Sequence, residues 1–446
     1  MTDFAVLAFS ISYELDYFNV VSILKAAGIP LFAADRDESH PLVIAGGPCV
    51  TANPMPLTPF FDFFCIGEAE PVLPGIVPAL LEGIGGPRDA LLRALAARPG
   101  IYAPACPPER PVTRQWADNL DEFDTSSVVL TPDTELGDLY LIEVERGCQR
   151  GCRFCLVNTN YAPMRFRSVD RLVACARNGL PRRRRLGLMG PAVTDHPRIQ
   201  ELLSRLNDLG AELSLSSMRL NSLTGEVLAE LARGKTETIT IAPEAGSQRL
   251  RDVINKGISE DDILAAADRL AGNRFRQLKL YFIVGLPTET DADIEEIVRL
   301  ALAIKERLDR RGSGIRITLN ASPFVPKAGT PFQWLSMAPQ ETLQSRLAIL
   351  RGSLPLKGIK LNEESPAWSH VQGVLSRGDA RVADALAAVE EVSLSGWHKA
   401  AENSQLDIDY YVNQRWGTEQ KLPWSVIDSG MSEEKLCGEL EKAVER

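Results

Sequence analysis

Short apolar runs alternate with segments of helical periodicity along the chain. In the first 95 residues, apolar runs of strand length stand at 4–9, 41–45 and 63–66, and helical spacing occurs over 15–27 and 74–81. Strands that alternate with helices predict a parallel sheet covered by helices. We therefore predict an α/β domain over residues 1–95. Because its first apolar strand needs a neighbour on each side, the domain is expected to lack a strand–helix unit.

A second alternating series starts near residue 138, after a proline-rich stretch at 96–137 that is typical of a connector between domains. Within 138–350 the predicted strands are 139–144, 186–189, 212–215, 238–241, 278–284 and 315–320. This many strand–helix repeats in about 200 residues predict a partial (β/α)6 barrel, because a complete eight-fold barrel needs about 250. Residues 351–446 show helical patterns without strands, so we predict a small helical accessory domain there.

The composition is that of a globular protein. Hydrophobic residues make up 45% of the chain and charged residues 24%, which excludes collagen-like, coiled-coil and wholly disordered proteins. No apolar run is long enough to span a membrane, and the N-terminus carries no basic signal region, so we expect a cytoplasmic protein. The net charge of −10 does not support capture of nucleic acid by long-range attraction, although a nucleic-acid substrate stays open on other grounds.

Three of the eight cysteines stand together directly after the predicted strand 139–144. Cys148, Cys152 and Cys155 have the spacing CxxxCxxC. Three thiolates on one loop can hold three corners of a four-iron four-sulfur cluster and leave the fourth iron free to bind a cofactor. A structural zinc site would need a fourth Cys or His nearby, and the sequence has none there. The other five cysteines are scattered singly, which is typical of buried thiols.

This loop and its context resemble the radical S-adenosylmethionine superfamily. The cysteine spacing is that superfamily's signature, including the aromatic Phe154 before the last cysteine. The resemblance implies an enzyme whose free iron is chelated by the amino and carboxylate groups of S-adenosylmethionine. One electron from the cluster then cleaves the sulfonium to methionine and a 5′-deoxyadenosyl radical. An electron donor such as flavodoxin or ferredoxin is implied as well, whereas the substrate and the catalytic residues are not.

Strand ends further along the chain are similar to the superfamily's contacts with S-adenosylmethionine. Together with the loop aromatic, the cofactor-binding positions implied by the resemblance are Phe154, Gly190, Ser216, Arg219, Glu244, Lys256 and Gly285. Relatives bind the methionine amino group at a glycine-rich turn, here Gly190, but the acidic residue usual in that turn is missing. Arg219 and Lys256 are the candidates for the methionine carboxylate, because cationic donors make charge-assisted hydrogen bonds.

The strand ends of a barrel share its catalytic face. We therefore expect the residues at those ends to converge in one cavity above the cysteine loop, namely Gly190, Ser216, Arg219, Glu244 and Gly285.

Residues 1–95 resemble the cobalamin-binding domain fused to many radical S-adenosylmethionine enzymes. Turns at 46–48 and 66–70 follow consecutive strands, at the carboxyl ends where open α/β sheets bind ligands. The Asp-x-His-x-x-Gly element that supplies the axial histidine in that domain is absent. The domain is thus either a scaffold without cobalamin or a cobalamin site without a histidine ligand. Over nearly the whole chain, the resemblance is to an uncharacterised family with such a degenerate domain.

Three functions stay open on the sequence alone. The first is an enzyme that reductively cleaves S-adenosylmethionine at a 4Fe-4S cluster to start radical chemistry on an unknown substrate. The second is a methyl or methylthio transferase acting on RNA or a small molecule; methylthio transfer would bring a second cluster, for which Cys49, Cys65 and Cys106 are widely spaced. The third is a non-catalytic iron–sulfur protein for electron transfer or regulation. The cofactor-type residues that accompany the triplet favour an enzyme.

Overall fold

The computed structural model describes residues 1–444. Its N-terminal part is a four-stranded sheet in the order β1-β2-β3-β4, parallel except for the last strand. The elements are β1 (Val6–Ser10), α1 (Tyr17–Ala26), β2 (Leu42–Gly46), α2 (Pro48–Ala52), β3 (Phe63–Cys65), α3 (Ala69–Gly83), α4 (Arg88–Ala96) and β4 (Ile101–Tyr102). Strand β2 is apolar because helices cover both of its faces. Strand β4 lies within 96–137, so the start of the predicted connector belongs to this sheet.

The region predicted as a barrel contains two parallel sheets, with strand orders β10-β9-β6 and β11-β12-β13-β14. The strands after β4 are β5 (Val112–Thr113), β6 (Leu139–Glu143), β7 (Glu145–Arg146), β8 (Arg165–Phe166), β9 (Arg185–Met189), β10 (Glu212–Leu215), β11 (Thr238–Glu244), β12 (Gln277–Val284), β13 (Arg316–Pro323), β14 (Lys360–Glu363) and β15 (Ile427–Asp428). Each of the six predicted barrel strands is present, and the α/β class is confirmed. The expectation that strands end near residue 350 is wrong, because β14 continues the second sheet.

Amphipathic helices cover the barrel strands. Their buried faces carry leucine, isoleucine and alanine at helical spacing, and several begin at a Ser or Thr that caps a backbone N–H, such as Ser259 at the start of α10. The helices after α4 are α5 (Val157–Tyr161), α6 (Val169–Gly179), α7 (Ile199–Asp208), α8 (Gly225–Arg233), α9 (Gln248–Val253), α10 (Glu260–Ala271), α11 (Asp291–Arg310), α12 (Gln340–Ser353), α13 (Pro366–Arg377), α14 (Val382–Ala388), α15 (Leu394–Asn403), α16 (Ile408–Val412) and α17 (Glu433–Val444). Within residues 1–444, none of them has the length and apolar character needed to cross a membrane.

The C-terminal helices pack on the N-terminal domain and share its core. Phe18 of α1 meets the ring of Trp397 of α15 edge-to-face, with centroids 5.6 Å apart. Trp334 and Trp397 are fully buried in the same apolar cluster. Burial of these apolar side chains stabilises the packing of the C-terminal helices against the N-terminal domain. The C-terminal region therefore covers the N-terminal sheet and does not form a core of its own.

A buried ion network joins the N-terminal domain to the strand that precedes the cysteine loop. Arg146 of β7 contacts Glu68 at 2.9 Å, Glu70 at 2.6 Å and Glu143 at 2.8 Å, and Arg165 of β8 contacts Glu68 at 2.6 Å. Burial opposes the charge on Arg146, but the carboxylates of Glu70 and Glu143 outweigh it and raise the pKa of the guanidinium. Every buried charge in the network therefore has an opposite partner, as burial requires.

Replacing Glu68 tests how strongly this network holds the domains together. We expect Glu68→Gln to lower the free energy of unfolding by about 3–5 kcal/mol, because two buried guanidinium groups lose a common partner. The control is Glu237→Gln, which breaks an exposed ion pair with Arg276 and should cost less than about 1 kcal/mol. Urea unfolding of both variants measures the difference. Equal and small losses would show that the network contributes little to stability.

Candidate active site

The three clustered cysteines lie on the loop between β7 and α5, at the carboxyl end of the barrel strands, and each is partly buried. The loop opens at Gly147, which has φ +83°. A Cβ at this residue would lie 2.7 Å from the carbonyl oxygen of Tyr161, so both the turn and the close approach require glycine. The sequence of the turn thus positions Cys148 directly after the buried Arg146.

Side chains from two other elements hold the loop in place. Buried Arg153 donates from its backbone N–H to Ile254 at 3.1 Å and from its guanidinium to the carbonyl of Val253 at 2.7 Å. Its Nε also contacts Glu439 of α17 at 3.0 Å. Asn255 donates to the carbonyl of Gly151 at 2.9 Å. These bonds hold the cysteine loop against the end of α9.

The three free thiols of the loop are donors of the type that an iron–sulfur cluster uses, and among residues 1–444 no three Cys, His, Asp or Glu side chains are grouped closely enough to hold a single metal ion. In a four-iron cluster each protein sulfur binds a different iron, so the cluster needs separated thiolates, which are the soft donors that iron–sulfur clusters use. Two N–H groups approach Cys148 Sγ at 3.4 Å, one from the backbone of Arg150 and one from Nη1 of Arg219. N–H donors directed at a ligand sulfur stabilise its negative charge and tune a bound cluster.

The first group of predicted cofactor residues is brought together beside Cys148. Ser216 Oγ accepts from Gly190 N at 3.1 Å and donates to the Gly190 carbonyl at 3.0 Å, which joins the ends of β9 and β10. Arg219 contacts Cys148 and also lies 3.4 Å from Asp195. Only 14% of the Arg219 side chain is exposed, so it is not a solvated surface cation.

The second group of predicted residues lies beside Cys152. Lys256 Nζ contacts Glu244 Oε1 at 2.9 Å, and both side chains are 15% exposed. Burial would lower the pKa of Lys256, but the charges of Glu244 and Cys152 raise it. Glu244 has φ +66° where the β11 ladder is interrupted, a left-handed conformation that is strained for this residue type. Such backbone strain is common at ligand sites.

For the remaining two predicted residues, Gly285 and Phe154, the structure shows contacts with apolar side chains. At Gly285, a Cβ would meet Leu343 and Ala338, so its Cα faces α12. Phe154 packs against the apolar core that the N-terminal and C-terminal regions share. Five strand-end residues were expected to line one cavity. Gly190 lines the 460 Å³ cavity next to the cysteine loop, and the other four do not line it, namely Ser216, Arg219, Glu244 and Gly285.

Two cavities meet at this face of the barrel. The 460 Å³ cavity lies over the ends of β6 and β9, and a second one of 440 Å³ lies at the carboxyl ends of the N-terminal strands. Glu143, Arg146 and Tyr161 line both. Asn160 lines the second cavity, and its buried Oδ1 has no hydrogen-bond partner in the described part of the chain. The wall between the cavities is thus part of the buried ion network.

Sequence reasoning missed several residues of this site, above all Glu145. This residue is 1% exposed and lines the 460 Å³ cavity. The sequence did carry a signal for Glu145, because a charged residue follows a strand of largely apolar residues. A buried charge at such a position is costly unless it is paired or binds a ligand. Arg153 and Asn255 were also missed, because their partners are more than 90 residues away in sequence and only the fold brings them together.

Comparison with known proteins agrees with this geometry. Residues 1–104 match the family described as "Radical SAM proteins, N-terminal", and residues 142–301 match the "Radical SAM superfamily". The chain is 33% identical over 387 residues to an uncharacterized protein of Methanocaldococcus jannaschii, which covers 84% of this chain and 78% of that protein. The chain therefore belongs to the radical SAM superfamily and is an enzyme of that class.

More distant relatives include enzymes of known activity. The ribosomal protein uS12 methylthiotransferase RimO of Thermosipho africanus is 22% identical over 236 residues, which is 50% of this chain and 53% of that enzyme. Among solved structures, the cobalamin-dependent S-adenosylmethionine radical enzyme OxsB with aqua-cobalamin bound aligns with 98% of this chain and 70% of its own, at 12% identity and a TM-score of 0.49. The superfamily implies a 4Fe-4S cluster, S-adenosylmethionine and a source of electrons.

Proposed function

We propose that Cys148, Cys152 and Cys155 hold a 4Fe-4S cluster and that S-adenosylmethionine binds beside it. When bound, the reduced cluster supplies the electron that cleaves the sulfonium bond of S-adenosylmethionine. The observation that carries the proposal is the chain of contacts from Gly190 through Ser216, with Arg219 reaching the sulfur of Cys148. The N–H groups of the Arg219 guanidinium therefore lie next to the only cysteine triplet of the sequence.

Arg219 is the better of the two candidates for the methionine carboxylate. Its guanidinium is largely buried, and its contact with Asp195 is long, at 3.4 Å, so N–H donors are available to a carboxylate. Lys256 already has a close partner in Glu244 at 2.9 Å. We propose that Lys256 balances charge beside Cys152 while Arg219 binds the carboxylate. An electron donor such as flavodoxin or ferredoxin completes the reaction.

Methylthio transfer gains no support from the remaining cysteines. Cys49 packs in the apolar cluster on one face of the N-terminal sheet. Cys65 and Cys106 pack against the cluster on the other face. The three thiols therefore do not share one face of the sheet, as the ligands of one cluster would. We therefore propose radical chemistry that begins at a single cluster, on a substrate bound in the cavities next to it.

We propose further that the N-terminal domain is a scaffold and does not bind cobalamin. Its two glycine turns hold the chain's own backbone: a Cβ at Gly67 would overlap the carbonyl of Gln115, and one at Gly47 would lie 2.7 Å from the carbonyl of Ile11. The 440 Å³ cavity at these turns is lined by no histidine. Instead, Glu68 in the second turn binds Arg146 and Arg165, so the surface serves to dock the barrel.

Loss of one ligand cysteine tests the cluster. Protein purified anaerobically should be brown and hold about four irons. Cys152→Ala should lose the cluster's absorbance, because two thiolates cannot replace three. Cys437→Ala, which removes a thiol on α17, should keep the full cluster and serves as the control. A full iron complement in Cys152→Ala would contradict the assignment.

Truncation of Arg219 tests the cofactor site. With the cluster reconstituted, Arg219→Ala should weaken S-adenosylmethionine binding about 10- to 100-fold, because one or two charge-assisted hydrogen bonds are lost. Equilibrium dialysis with labelled S-adenosylmethionine measures the affinity. Arg276→Ala, at the opposite end of the barrel strands, is the control and should bind as the wild type does. Unchanged binding and cleavage in Arg219→Ala would remove this residue from the site.

Incubation with hydroxocobalamin tests the N-terminal domain. After desalting, the protein should show no cobalamin absorbance, because the backbone of Ile11 and Gln115 fills the space beside the turns at Gly47 and Gly67. Stoichiometric retention would contradict the scaffold proposal. In that event, electron paramagnetic resonance of the Co(II) form identifies the axial ligand, and nitrogen splitting from histidine would contradict the inference drawn from the histidine positions as well.

A further inference from the structure

Glu145 carries an unsatisfied carboxylate oxygen beside the cysteine loop. The residue is 1% exposed. Its Oε1 accepts a hydrogen bond from the backbone N–H of Ala192, whereas Oε2 has no hydrogen-bond partner among residues 1–444. The side chain lines the 460 Å³ cavity three residues before Cys148. A buried carboxylate oxygen without a donor is unfavourable, so a ligand that brings one is strongly preferred at this position.

The turn after β9 is shaped around this carboxylate. A Cβ at Gly190 would lie 2.8 Å from both Cγ and Oε1 of Glu145, so glycine leaves the space that the carboxylate occupies. The turn Gly190-Pro191-Ala192 carries no acidic residue of its own. Glu145, from the neighbouring strand β7, therefore supplies the negative charge at this turn.

The other acids near the site already have partners. Asp195 accepts from Ser222 at 2.6 Å and lies 3.4 Å from Arg219. Glu143 contacts Arg146 and Arg167, each at 2.8 Å. By contrast, no Lys or Arg in the described residues forms an ion pair with Glu145. This carboxylate is thus the one left to meet a positively charged or N–H-bearing group that enters the cavity.

We infer that Glu145 Oε2 accepts a hydrogen bond from the α-amino group of S-adenosylmethionine, in place of an acidic residue within the Gly190 turn. The inference rests on the proposed function and adds to it the residue that positions one end of the cofactor. Ser216 supports the same turn from the side of β10. Arg219 is near enough for its charge to act on Glu145, so the two side chains offer partners for the carboxylate and the amino group of one methionine moiety.

The same geometry makes cofactor binding depend on pH. Burial raises the pKa of Glu145 to about 7. The charge of Asp195, in the loop after β9, raises this pKa further. The hydrogen bond from Ala192 N–H and the charge of Arg219, which follows β10, lower it. Glu143 and Arg146 line the same cavity. The amino group needs the ionised carboxylate, so binding below pH 7 releases the proton of Glu145 to solvent. The contribution of Glu145 is therefore nearly complete at pH 8 and is lost as the pH falls through 7.

A thermodynamic cycle on the cluster-loaded protein tests the inference by equilibrium binding. The variant is Glu145→Gln, which keeps an acceptor for Ala192 N–H and removes the charge. The ligands are S-adenosylmethionine and its des-amino analogue, in which hydrogen replaces the α-amino group. At pH 8, we expect Glu145→Gln to bind S-adenosylmethionine about 10- to 100-fold more weakly than the wild type, and both proteins to bind the analogue equally. At pH 6 the difference for S-adenosylmethionine should be about ten-fold smaller than at pH 8, because only about a tenth of the Glu145 carboxyl is then ionised.

Each other outcome has a distinct meaning. Equal affinity of both proteins for S-adenosylmethionine at pH 8 overturns the role of Glu145 and leaves the proposed function intact. Equal loss of affinity for both ligands also overturns it, because the residue would then act on the fold and not on the amino group. Failure of the wild type to bind either the cluster or S-adenosylmethionine overturns the proposed function together with this inference. Glu237→Gln, exposed at the amino ends of the strands, is the control for charge removal.

Discussion

The ion network around Arg146 is the interaction on which the arrangement of this protein depends. Arg146 is the residue before Gly147 and Cys148, and its guanidinium binds carboxylates from both the N-terminal domain and the barrel. Buried charges tolerate little displacement, because each loses its partner when it moves. The network thus fixes the N-terminal sheet, the wall between the two cavities and the start of the cysteine loop relative to one another.

The N-terminal domain contacts the barrel through the turns at the carboxyl ends of its parallel strands. Parallel sheets offer glycine turns at their carboxyl ends, where ligands bind in related folds. Here the turn at Gly67 continues into a bridge with Gln115, and Glu68 faces the barrel's arginines. The space that remains is a cavity of 440 Å³ bordered by Tyr161 and Arg146. It lies between the N-terminal domain and the barrel, with Glu143 of β6 and Asn160 of α5 among its lining residues.

The acids of the active-site face divide into two kinds by their partners. Glu68, Glu70 and Glu143 each bind arginine and stabilise the fold. Glu145 has only one backbone N–H for its two oxygens. Glu145 lines the 460 Å³ cavity, whereas the guanidinium of the next residue, Arg146, pairs with Glu68 and Glu70 of the N-terminal domain. Neighbouring residues on one strand thus have different partners.

The sequence alone determined the α/β class, the six barrel strands and the cysteine triplet, because hydrophobic periodicity and the spacing of thiols are local properties. It did not reveal β14, whose Lys-Leu-Asn-Glu strand is polar and forms by backbone pairing with β13. Nor did it reveal Glu145, Arg153 or Asn255, because a residue's burial and its partners are set by chain segments distant in sequence. Only the tertiary structure left one carboxylate of several unpaired, since pairing depends on which side chains the packed elements bring within hydrogen-bond distance.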